Sequence, residues 1–177
     1  MKLDARAVGL ILTAVPALLA AQGAASPVAD AFRTYEQRSA TKLVAAAEAM
    51  PADKYGYKPT PAQMSVADVV LHLAEGNDYF CSSITGSTAP KRDSLAATAP
   101  KDKLVARLRE TFDYCGTALA KLDDAALAEQ LPFFGNKVSR ASMILIATGD
   151  WEDHYSQMAN YLRLNGLLPP TARQQGQ

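Results

Sequence analysis

The amino-acid sequence predicts an all-α protein, a four-helix bundle preceded by a signal peptide. Apolar residues recur every three or four positions in four long stretches, and Pro-, Gly- and Ser-rich segments separate them. Ahead of these, "MKLDARAVGLILTAVPALLAAQGAA" joins a short basic start, an apolar run and small residues suited to cleavage. With 177 residues, 49% of them hydrophobic and 20% charged, the chain suffices for one well-buried domain and falls short of two.

Residues 1–25 read as a cleavable leader. Lys2 and Arg6 supply the basic start, Ala7 to Ala21 the apolar run, and Gly23 and Ala25 the small residues before the cut. Pro16 breaks the run, which is shorter than the roughly 20 apolar residues of a membrane span. Export to the periplasm or the exterior is therefore expected, with no stable membrane insertion after cleavage. The span 26–170 is assigned to the bundle and 171–177 to a polar C-terminal tail.

The first helix begins at Ser26-Pro27, with Ser as N-cap and Pro in the first turn, and its apolar spacing continues to Met50. "PADKYGYKPTPAQM" holds three prolines and a glycine and is a loop. Ser65 and Asp68 have capping-box spacing, and the second helix runs from there to about Ile84 on a stripe of Val66, Val69, Val70, Leu73 and Phe80. After the connection "TGSTAPKRDSLAATAP", a third helix over 101–122 places Leu104, Leu108, Phe112, Cys115 and Leu119 on one face. A short helical turn is expected over 124–131, and "PFFGNKVS" reads as a loop or small hairpin around Gly135-Asn136. Ser139 then caps a fourth helix that ends at Gly166, before Pro169-Pro170. Four amphipathic helices joined by loops of moderate length make a bundle.

Charge excludes one class of function. The 18 basic and 18 acidic residues cancel, and losing Lys2, Asp4 and Arg6 with the leader leaves a net charge of −1. With no run of like charge, nothing marks a nucleic-acid binder. Cys81 and Cys115 are the only cysteines, and an even count in an exported chain favours a disulfide between the second and third helices. The alternative is a pair of buried free thiols. A catalytic cysteine is disfavoured, since neither has a His nearby in sequence.

The chain has two histidines, each at the margin of an apolar stripe. His72 lies on the flank of the second helix beside Gly76 and Tyr79. On the fourth helix, Asp150 and His154 stand about 40° apart at the edge of a face made by Met143, Ala147, Trp151, Met158, Tyr161 and Leu162. An i, i+4 pair of this kind supplies two ligands from one helix in many metal sites, but more often it is a plain surface ion pair. Gln157 and Tyr161, one and two turns on, and Gly76 beside His72 are candidates for supporting the ligands or touching a substrate. An aromatic at that spacing also fits the core.

The stretch "MPADKYGYKPTPAQMSVADVVLHLAEGNDYF", with its P-x-x-K-x-x-Y-K-P lead-in and "LHL", followed much later by "DWEDHYSQMANYLRLNGLLPP", resembles the DinB superfamily, the DinB/YfiT-like four-helix metalloproteins. The likeness spans about residues 27–170. It implies one divalent metal ion, zinc first with nickel or iron as alternatives, held by a His of the second helix and an H-x-x-x-H pair of the last. Carried over, the ligands are His72, Asp150 and His154, with Asp150 standing where the family has an imidazole. Two imidazoles and a carboxylate still form a recognised ligand set for zinc and non-haem iron, harder and more anionic than three imidazoles.

Family members include S-transferases and isomerases that use low-molecular-weight thiols. Export argues against that chemistry here, because such thiols are kept reduced in the cytoplasm. Glu75, Asp78 and Asp153 are the remaining nearby acids, none with an evident catalytic role, and no G-x-S-x-G, P-loop or dinucleotide motif is present. Two readings follow: a metal-dependent hydrolase or transferase acting on a small-molecule substrate, or a non-catalytic disulfide-held bundle that binds a small molecule or a partner protein. A homodimer is a further expectation.

Overall fold

Four long helices pack in a ring in the computed structural model of the chain, which describes residues 25–173. They are α1 (Pro27–Ala49), α2 (Val66–Thr85), α3 (Lys101–Leu119) and α4 (Arg140–Leu164). Helices α1 and α2 each pack against both α3 and α4. The leader assigned to 1–25 falls almost wholly outside the described residues. None of the described helices is long and apolar enough to cross a membrane.

Local chemistry sets the helix ends. Ser65 Oγ accepts from the Asp68 N–H (3.2 Å) while Asp68 Oδ2 accepts from the Ser65 N–H (3.0 Å), the expected capping box of α2. Gly86 closes that helix at φ +70°, a conformation that suits glycine. Ser139 Oγ caps α4 by accepting from the Ser142 N–H (3.1 Å). The start of α1 is where expected, yet Ser26 does not cap it. The Asp124 carboxylate does so from across the fold, accepting from the N–H groups of Val28 (3.0 Å) and Ala29 (2.8 Å), and Ser26 Oγ in turn accepts from the Asp124 N–H (3.3 Å).

The turn expected over 124–131 is a 3₁₀ turn at Asp124–Ala126. It leads to an antiparallel hairpin of β1 (Gln130–Phe133) and β2 (Asn136–Ser139). The hairpin tip, Phe134-Gly135, has φ of +44° and +80°. Left-handed backbone is ordinary for Gly135 and strained for Phe134, which is 79% exposed and lies against Tyr79 at 5.7 Å between ring centroids. Beyond 170 the chain forms α5 (Pro170–Arg173), which packs on α1, and its Thr171 hydroxyl is 2.7 Å from the Tyr155 hydroxyl.

The core centres on Trp151, fully buried between Phe32 (5.6 Å, stacked) and Phe112 (5.9 Å). Its indole N–H donates to Asn77 Oδ1 (2.8 Å), and Asn77 Nδ2 donates to Thr111 Oγ1 (3.1 Å), so buried polar atoms of three helices satisfy one another. Cys81 and Cys115 are joined in a disulfide, with Cα atoms 5.3 Å apart, tying α2 to α3.

Candidate metal centre

Helices α2 and α4 run antiparallel, so residues early in α2 face residues late in α4. Asn77 meets Trp151 and Met64 meets Tyr161. His72 is thereby placed opposite Asp150 and His154. His72 Nε2 is 3.4 Å from Asp150 Oδ1, and His154 Nε2 is 3.5 Å from the same oxygen. The two imidazole centroids are 4.7 Å apart, edge to face. One donor atom from each of the three residues lies within 4.8 Å of the other two, a cluster compatible with a divalent cation. Depth is graded across it: the side chain of His72 is 47% exposed, that of Asp150 19% and that of His154 10%. The cluster is thus reachable from solvent on the His72 side.

A hydrogen-bond relay fixes the deeper imidazole. The Met64 carbonyl can only accept, so the Tyr161 hydroxyl donates to it (2.9 Å) and accepts from Gln157 Nε2 (2.8 Å). That orientation leaves Gln157 Oε1 facing His154 Nδ1 at 2.9 Å, so Nδ1 carries the proton. Nε2 then faces the triad. Gln157 and Tyr161 therefore hold the His154 ring in place, and both also line a neighbouring cleft of about 630 Å³ together with Asp153, Gln63 and Arg163.

The electrostatics match this arrangement. Burial alone would raise the Asp150 carboxyl, but the His154 and His72 imidazoles outweigh it and hold the group below the ordinary aspartate value. Burial likewise works against a charged His154, yet the hydrogen bonds to Asp150 and Gln157 and the charges of Asp150 and Asp153 hold it above the ordinary histidine value. Both directions are those of a site that favours a positive charge between His154 and Asp150.

Gly76 sits one turn beyond His72. A Cβ there would be in ordinary contact with Asp150 Oδ2 (3.7 Å) and the Phe80 ring (3.8 Å), so a longer side chain would enter the space over the carboxylate. The other acids separate clearly. Asp78 is occupied by Arg92, whose Nε and Nη2 donate to it at 2.6 and 3.1 Å, whereas Asp153 is exposed beside the cleft. Periodicity gave no sign of the part taken by the Met64 carbonyl, since a backbone acceptor in a loop leaves no mark on side-chain pattern.

Fold and cluster together define a small helical-bundle protein with two imidazoles and one carboxylate converging between its second and fourth long helices. The family model described as the DinB superfamily matches residues 36–158, and the chain belongs to that superfamily. Among solved structures, it is similar to a DinB-like protein from Bacillus subtilis, at 20% identity and a TM-score of 0.64 over 77% of this chain and 92% of that one. A DinB-like protein from Bacillus cereus gives 15% identity and a TM-score of 0.66, over 80% and 95%. A conserved protein from Enterococcus faecalis gives 13% and 0.56, over 76% and 94%. At these identities the likeness shows the fold. No curated protein matches the chain.

Proposed function

We propose that the protein binds one divalent metal ion through His72, Asp150 and His154 and presents it on the exposed His72 side to a small-molecule substrate. One observation carries this reading. The relay from the Met64 carbonyl through Tyr161 and Gln157 engages the Nδ1–H of His154 and turns Nε2 toward the Asp150 carboxylate 3.5 Å away, so that the neutral ring presents a lone pair to a carboxylate. Two acceptors facing each other repel unless a cation or a proton stands between them. His72 Nε2, 3.4 Å from the same oxygen, completes a three-sided donor set.

The donor set suits zinc best, with nickel and iron(II) also served by imidazole and carboxylate. A bound divalent ion supplies Lewis acidity, stabilising the deprotonated form of a heteroatom brought by water or substrate. The residues do the rest. Asp150 keeps its negative charge across the neutral range, Gln157 orients His154, and half-exposed His72 leaves one side open. The cleft beside Gln157 and Tyr161 lies behind the side chain that holds His154. We further propose that the protein is exported after loss of residues 1–25, and the disulfide supports this because such bonds persist in oxidising compartments.

Chelation tests the proposal. A ligand that binds only the folded state stabilises it, so a chelator should lower the melting temperature of the metal-loaded wild type and leave His72→Ala unmoved. Equal responses in the two proteins would overturn it.

A further inference from the structure

The hairpin tip carries a side chain that neither its turn nor its packing explains. Phe134 and Gly135 are the central pair of the turn between β1 and β2, and both have positive φ. Turns of that kind favour Asn-Gly or Gly-Gly, so a phenylalanine in the first place is strained. Among the described residues Phe134 is also the most exposed large hydrophobic side chain. Its ring is 4.7 Å from that of Phe133 and reaches Tyr79 on α2, itself an exposed aromatic, whose ring is 5.4 Å from that of Phe80. Apolar rings left in water on a strained backbone cost stability on two counts, and strain of this kind gathers at ligand-binding segments.

These rings continue the surface on which the triad sits. His72, Gly76 and Tyr79 are spaced i, i+4 and i+7 along α2, so they share one face, with about 10 Å of helix between the first and the last. Gly76 is the join between the two ends. A Cβ there would stand 3.7 Å from Asp150 Oδ2 and 3.8 Å from the Phe80 ring, so the hydrogen in its place leaves open the way from the carboxylate to the aromatic cluster. On α4, Ile146 lies one turn before Asp150, half-buried and packed on the core, and adds an apolar neighbour on the same side of that helix.

Resting on the metal-binding reading above, we propose that the substrate of this centre is an arylalkyl compound. An oxygen or sulfur donor at one end meets the ion, the alkyl chain crosses Gly76, and the aromatic ring packs against Tyr79 and Phe134. Aromatic rings pair edge-to-face or offset at centroid separations of about 4.5–7 Å, and covering Phe134 and Tyr79 withdraws from water the apolar area that the free protein leaves exposed. Phe134 and Tyr79 are thus specificity residues for the ring, set apart from the three ligands.

Calorimetric titration of the zinc-loaded, disulfide-intact protein tests this with acetohydroxamate and 3-phenylpropanohydroxamate, which share one metal-binding head. The phenyl compound should bind the wild type about tenfold or more tightly than acetohydroxamate does. Phe134→Gly should lose most of that gain while keeping its zinc, its affinity for acetohydroxamate and a melting temperature at least as high, because left-handed backbone suits glycine. Tyr79→Ala should lose the gain as well, and Phe134→Tyr should retain it. A zinc-loaded wild type that gains nothing from the phenyl group, or a gain that survives both Phe134→Gly and Tyr79→Ala, would overturn this proposal and leave the metal reading standing. A wild type that takes up no zinc would overturn the metal reading and this proposal with it.

Discussion

Replacing Glu36 by Gln should flatten the dependence of stability on pH. Glu36 lies on α1, only 3% exposed, with Oε2 3.8 Å from where a Cβ on Gly116 of α3 would stand. Burial first, and the charge of Asp113 second, push its carboxyl from 4.5 up to about 7. Because the folded value exceeds the unfolded one, the sign is opposite to that of a salt-bridged acid. Below pH 4.5 both states are protonated and the group contributes nothing; between 4.5 and 7 the unfolded chain ionises alone and stability falls as pH rises; above 7 the loss is complete. At about 1.36 kcal/mol per pH unit, the gap amounts to about 3 kcal/mol. For a domain of this size that is about 6 to 12 °C in melting temperature. Urea unfolding of wild type and Glu36→Gln between pH 4 and 8, with the disulfide intact, reads the difference directly. The variant should match the wild type at pH 4 and exceed it by about 3 kcal/mol at pH 8. Stability curves that run parallel over the whole range would refute the reasoning.

Reducing the Cys81–Cys115 bond opens a closure spanning 34 residues and should cost about 3 to 4 kcal/mol on the chain-entropy estimate, seen as a lower melting temperature in reductant. Asp124→Ala removes the acceptor for two N–H groups of α1 and should cost about 1 to 2 kcal/mol in urea unfolding, whereas Ser26→Ala should cost less. Gln157→Leu keeps all three ligands but releases the His154 ring, and should weaken zinc affinity about 10- to 100-fold in competition with a chelating dye.

The bundle was legible because its helices are long, amphipathic and bounded by strong stop and start chemistry, such as Ser65–Asp68 and Gly166. The two histidines stood out because both fell at stripe margins, where a side chain can face inward and still meet solvent, while the set of His72, Asp150 and His154 followed from the resemblance to the superfamily. Ser26 misled because a local rule assigns the cap to the residue before the helix, while Asp124, nearly a hundred positions away, reaches it through the fold. Glu36 was invisible for a related reason: a carboxylate on an Ala-rich helix reads as solvated surface, and only the packing of Gly116 and Asp113 against α1 shows that it is buried. The hydrogen bonds from Tyr35 and Lys42 to Glu152 join helices more than a hundred residues apart, so no local spacing could announce them.

Elemental analysis of the protein, purified without tag or chelator and equilibrated with zinc, tests the central claim most directly. One zinc ion per chain is expected in the wild type, and its loss in each of His72→Ala, Asp150→Ala and His154→Ala, while Asp150→His retains the ion and binds it more tightly. A wild type that holds no zinc, nickel or iron(II) after equilibration, or alanine variants that keep a full equivalent, would contradict the account.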